Sequence, residues 1–150
     1  MAIWQFSLMF VPCGGPLPWR EPDGYEAPSF HAHEVSKARV WLLERFGTPR
    51  EILEDWFVYG PQDENRVDLS LNRDGTAEIS ARIDARIEAT EFISQLCDLS
   101  ALIAGKPFSI EFWKLLEAQP SALGVALERS RAAAFIRDPE KVLRGTDSDA

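Results

Sequence analysis

Val67-Asp68-Leu69-Ser70-Leu71-Asn72-Arg73-Asp74-Gly75-Thr76-Ala77-Glu78-Ile79-Ser80-Ala81-Arg82-Ile83-Asp84-Ala85-Arg86-Ile87-Glu88 reads as two strands and a turn. Val67, Leu69 and Leu71 alternate with Asp68, Ser70 and Asn72. Ile79, Ala81, Ile83, Ala85 and Ile87 alternate with Glu78, Ser80, Arg82, Asp84, Arg86 and Glu88. A period of two sends alternate side chains to opposite faces of a sheet. Parity then selects the turn. A two-residue Asp74-Gly75 turn sets Leu71 opposite Glu78 and mixes apolar with polar. A three-residue loop sets Leu69 opposite Ile79 and Ser70 opposite Glu78, so both faces agree. Gly75 then takes the left-handed position of a bulge. The expected result is a sheet with one apolar side under helices and one wet, electronegative side left open.

The flanks extend this pattern. Trp4, Phe6, Leu8 and Phe10 alternate with Gln5, Ser7 and Met9 and predict a strand ending at Pro12. Pro12 to Ser29, rich in Pro and Gly, predicts a long irregular loop holding Trp19 and Tyr25. Val35, Ala38, Leu42 and Phe46 predict a helix over about 33–46, stopped by Gly47 and Pro49. Trp56 to Tyr59 is a short strand. Phe92, Leu96, Leu99 and Ile103 form the stripe of a second helix, with Thr90 as its cap. Phe108 to Phe112 alternates as a strand. Ser121 to about Ile136 reads as one helix, and Asp138-Pro139-Glu140 opens a short last one ending near Arg144. Residues 145–150 form a polar tail.

The expected fold is α+β in a single domain over 1–144. It has a mostly antiparallel sheet of about five strands with helices on one face. Its core is a split βαβ, ferredoxin-like arrangement with a C-terminal helical extension. The first strand carries no basic leader, which argues against a signal peptide. No apolar run is long enough to span a membrane. Cys13 falls in a loop and Cys97 on a helix stripe, so nothing in the sequence supports a bridge between them, and the two suit a reducing cytoplasm at least as well as a disulfide framework.

Charge is localised. Residues 51–100 carry twelve acidic and four basic side chains, while the segments on either side are balanced. The whole formal charge of −8 therefore lies in the sheet-forming region. An acidic chain with a pI near 4.8 argues against nucleic acid, which needs clustered Lys and Arg. It favours a basic protein partner instead. Candidate partner-binding residues are Glu54, Asp55, Trp56 and Tyr59, an acidic surround with aromatic anchors. Asp68, Glu78, Arg82, Asp84 and Arg86 on the polar face of the hairpin join them. The competing structural reading is a solvated face laced with cross-strand ion pairs.

Enzyme signatures are missing: no nucleophile elbow, phosphate-binding loop, dinucleotide fingerprint or zinc helix motif occurs. No catalytic residue and no cofactor is assigned. His31, His33 and Glu34 are the candidate metal ligands of a rival reading. In it a metal- or small-molecule-binding enzyme has its site under the 12–34 loop, with Cys13 nearby. The i, i+2 spacing of the histidines does not place both on one helix face, and loop histidines at a helix start explain them as well.

Ile79-Ser80-Ala81-Arg82-Ile83-Asp84-Ala85-Arg86, followed by Phe92-Ile93-x-x-Leu96, resembles small uncharacterised bacterial proteins. Ser130 to Glu140 is similar in character. Some such proteins look like immunity proteins of bacterial toxin systems. The resemblance implies an acidic, compact, non-catalytic inhibitor of a basic toxin or enzyme, and it transfers no site residues. A second copy of the chain is an alternative partner, with the basic C-terminal helices set against the acidic sheet.

Overall fold

The computed structural model describes residues 1–145. It is α+β. A seven-stranded antiparallel sheet runs in the order β4 (Arg50–Leu53), β5 (Trp56–Tyr59), β6 (Arg66–Leu71), β7 (Ala77–Asp84), β1 (Gln5–Pro12), β8 (Gly105–Ser109), β9 (Lys114–Leu115). A separate hairpin pairs β2 (Trp19–Glu21) with β3 (Gly24–Glu26). The helices are α1 (Ala32–Phe46), α2 (Thr90–Leu102), α3 (Pro120–Arg129), α4 (Arg131–Arg137) and α5 (Pro139–Leu143). Of the tail expected over 145–150, residues 146–150 lie outside the described part.

The β6–β7 hairpin has the register that parity selects: Leu69 faces Ile79, Ser70 faces Glu78, and Gly75 has φ +89°. Asn72 N–H donates to Thr76 O at 2.8 Å, closing the three-residue loop. Phe6, Leu8 and Phe10 of β1, Val67 and Leu69 of β6, and Ala77, Ile79, Ala81 and Ile83 of β7 share one face. Val35, Ala38 and Leu42 of α1 close over it, with Phe92, Leu96 and Leu99 of α2. Leu123, Ala126 and Ala132 bring α3 and α4 into the same core. Burying an aliphatic or aromatic side chain of this kind contributes roughly 1.5–3 kcal/mol, and this face holds the larger of two apolar clusters.

Several expectations are corrected. The sheet has seven strands, not about five. β4 escapes the sequence because all four of its residues are exposed and show no alternation. The 12–29 segment is not irregular throughout. It contains β2 and β3, anchored by Arg20 stacked 4.1 Å over the Trp113 ring and by the edge of Tyr25 against the same ring. β7 stops at Asp84 rather than running to Glu88, and Arg86 folds back onto Asp84.

The strand expected at 108–112 is displaced to Gly105–Ser109. The chain turns after Ser109, whose Oγ accepts from Phe112 N–H at 3.0 Å. Phe108 therefore faces away from the helices and packs with Met9, Val11 and Ala27. The helix expected over 121–136 is two helices, because Ser130 is extended at ψ 161° and caps α4. Thr90 is not the cap of α2. Glu88 instead accepts from both the Thr90 backbone N–H, at 2.8 Å, and its hydroxyl.

Candidate functional site

The face of the sheet away from the helices is not the open, solvated surface that alternation predicts. The β2–β3 segment lies over part of it, and Met9, Val11 and Phe108 form a second apolar cluster there with Ala27. Between that cluster and the edge strands is a polar cleft of about 440 Å³. β7 supplies Glu78, Ser80 and Arg82, β6 supplies Asp68 and Ser70, and β5 supplies Trp56. Tyr25 and Glu26 of β3 form its roof. A second cavity of about 500 Å³ adjoins it and shares Tyr25 and Arg82. Its other walls include Gln5, Ser7, Glu111 and the N-terminal residues.

The cleft has a hard electrostatic floor. Asp68 is only 4% exposed and takes a two-pronged ion pair from Arg66, with Nε–Oδ1 at 2.8 Å and Nη2–Oδ2 at 2.6 Å. Trp56 Nε1 donates to the same Oδ2 at 3.0 Å. Arg66 Nη1 donates to Gln62 O at 3.0 Å. A charged pair this deep persists only when its donors and acceptors are filled, and these are. Strand parity explains the cluster: Arg66 pairs with Arg82, Asp68 with Ser80, and Ser70 with Glu78, all on one face.

Glu78 is half-buried, and burial pushes its carboxyl above the usual range, with Glu26 across the cleft adding to the rise. Among the described residues neither Glu26 nor Glu78 has a side-chain hydrogen bond or an ion pair. Burial likewise raises the Tyr25 hydroxyl, Glu78 raises it further, and Arg82 works against both.

Four candidate partner-binding residues thus meet in the cleft: Trp56, Asp68, Glu78 and Arg82. The rest are elsewhere. Tyr59 is 2% exposed on the helix-covered face beside Arg39 of α1, so it is a core residue rather than an exposed anchor. Glu54 and Asp55 sit at the β4–β5 turn, where Asp55 N–H donates to Glu51 Oε2 at 2.9 Å. Asp84 is fully buried, contrary to the expected wet face, and holds Arg86 through Nε and Nη2 at 3.0 and 2.9 Å. Arg86 in turn stacks 4.1 Å over Trp4.

His31 stands at the N-cap of α1 without a capping bond, and His33 is exposed 4.0 Å from Glu34 Oε2. Among the described residues no three of His, Cys, Asp or Glu are placed to hold a metal, so His31, His33 and Glu34 do not form the site suggested for them. Cys13 and Cys97 are both free thiols.

Sequence reasoning missed Glu26, which lay in a segment read as structureless, and named Tyr25 there only as an aromatic that could anchor an interface. It also missed Arg66, one residue before the alternating run. Ser70 and Ser80 carried the parity signal and lacked only a partner surface. No helix among the described residues is long and apolar enough to cross a membrane. No known protein family, curated protein or solved structure matches this chain.

Proposed function

We propose that this protein is a non-enzymatic interaction module of the cytoplasm, an immunity-type inhibitor that holds a basic toxin or enzyme. The observation that carries this reading is the pair Glu26 and Glu78. Two carboxylates face one cleft, neither is paired with a cation among the described residues, and each would gain from a Lys or Arg side chain inserted there. Exposed Glu51 and Glu54 at β4 and its turn, and Asp63 and Glu64 in the β5–β6 loop, add a field that favours fast encounter with a basic partner. The order β8–β1–β7–β6, with α1 following β1 and α2 joining β7 to β8, supports reading the centre of the sheet as a split βαβ, ferredoxin-like core. A second reading, a small-molecule binder, draws on the cleft volume, which lies within the range of ligand pockets.

Affinity capture from the source organism tests the proposal, with wild type and a Glu26→Gln/Glu78→Gln variant compared side by side. The expected result is a basic protein retained by wild type, lost by the variant and released by raised salt. The same proteins on both columns, indifferent to salt, would overturn it.

A further inference from the structure

We infer that Arg82 is an oxyanion receptor. It takes a carboxylate or phosphate group at the junction of the two cavities on the open face of the sheet. The inference stands apart from the partner reading, because it concerns a positive centre within an otherwise acidic surface.

Arg66 and Arg82 are directly opposed across β6 and β7. Like charges in that position repel. Among the described residues Asp68 is the single carboxylate paired with either of them, and Arg66 takes both of its oxygens. Arg82 Nη2 is left 4.0 Å from Oδ2, beyond hydrogen-bond reach, and Trp56 already occupies that oxygen. Among the described residues the Arg82 guanidinium donates no hydrogen bond. Its side chain is only 23% exposed, so solvation by bulk water is incomplete. The two arginines and one aspartate therefore leave one positive charge uncompensated.

The surroundings suit an anion with two oxygens. Arg82 and Tyr25 line both cavities, and Ser70 and Ser80 line one of them. Ser7 and Gln5 line the other, where Ser7 Oγ donates to Met1 Sδ and Gln5 Nε2 donates to Gln62 O and Glu64 O. A guanidinium fork matches the spacing of two oxygens of a carboxylate or phosphate, and the Tyr25, Ser70 and Ser80 hydroxyls can donate to the remaining lone pairs. Glu78 lies four residues along the same strand, roughly 13 Å away at the Cα atoms, and does not neutralise Arg82. Glu111 in the second cavity is engaged with the Arg131 backbone N–H at 3.1 Å. Burial and Arg66 together lower the pKa of Arg82, as expected for a cation short of counter-charge, and Asp68 offsets this only in part.

The test uses the intact purified protein and two probes, sodium phosphate and sodium acetate, titrated separately at constant ionic strength with chloride as balance. NMR follows the Arg82 side-chain N–H and the Trp56 indole N–H. A saturable shift of both signals is expected. Phosphate saturating first identifies a phosphate-bearing ligand, and acetate first a carboxylate. Arg82→Gln should weaken binding at least roughly tenfold, and Arg82→Lys should weaken it less, since it keeps the charge and loses the fork. Arg45→Gln on α1 should change nothing. Glu78→Gln should tighten anion binding while weakening any basic partner, so failure here is distinct from failure of the partner proposal. Shifts that never saturate, or that persist unchanged in Arg82→Lys and Arg82→Gln, would overturn the inference. If the Gln variant does not fold, the Lys variant alone decides.

Discussion

Arg66 and Arg82 oppose each other on adjacent strands, and one buried carboxylate, Asp68, serves the first at 2.6 Å and reaches the second only at 4.0 Å. This inequality gives the open face its character. One arginine is structural, with Nε, Nη1 and Nη2 each donating a hydrogen bond. Among the described residues the other has no partner within hydrogen-bond reach.

Asp68→Asn should therefore be severe. It strands the buried Arg66 guanidinium without a counter-charge, at a cost of about 3–5 kcal/mol. Replacing both Arg66 and Asp68 with apolar residues of similar volume should cost less than the single change. Urea denaturation of the three proteins checks the order. A mild Asp68→Asn would mean that the pair is not desolvated.

Glu78 makes stability depend on pH in a defined direction. Burial and then Glu26 raise its folded-state pKa above that of the unfolded chain. Its ionised form is thus destabilising. The penalty is complete above the folded pKa, shrinks as pH falls through it, and vanishes below the ordinary glutamate range. Glu78→Gln should raise the Tm at neutral pH, with the gain disappearing on acidification. Melting curves from pH 7 to pH 3.5 would show it, and a pH-independent difference would contradict the assignment.

Ser130 separates α3 from α4. Its Oγ donates to Leu127 O at 2.6 Å and accepts from Ala133 N–H at 3.2 Å. Ser130→Ala should cost about 1 kcal/mol, the usual loss for an N-cap. Ser130→Asp should recover part of it by capping α4 without the donor bond. Thermal denaturation distinguishes the two.

Gly60 stands at the β5–β6 turn with φ +101°, and a Cβ there would lie 2.5 Å from Asn65 O. Backbone cannot yield as a flexible side chain can. Gly60→Ala should cost about 2 kcal/mol or more from strain and clash together. It should also disturb Asn65, whose Oδ1 accepts from Asp84 N–H at 2.7 Å. Loss of the Asp84 amide protection in hydrogen exchange would mark that coupling.

The contrast between legible and illegible parts has a physical basis. Leu69 opposite Ile79 was readable because a one-residue slip turns every apolar side chain of the hairpin to the wrong face. The stripes on α1 and α2 were readable for the same reason. β4 was not, since none of its residues is buried. β2 and β3 were not, since three exposed residues in each carry no period and their anchor, Trp113, is far along the chain. The same anchor brings Tyr25 and Glu26 over β7, so the roof of the cleft was hidden even though Glu78, Arg82 and Trp56 on its floor were named. Parity placed Asp68 and Asp84 correctly on the polar face. It could not show that the hairpin, the second apolar cluster and their own arginines remove that face from water.

The proposed partner would dock on the surface between β3 and the polar side of β6 and β7. Backbone hydrogen exchange of the protein, free and in complex with the basic protein recovered by capture, tests it most directly. Slowed exchange at Trp19–Glu26 and around Glu78–Arg82, with α1 and α3–α5 unchanged, is the expected result. Slowing on the helices, with these strands unaffected, would contradict it.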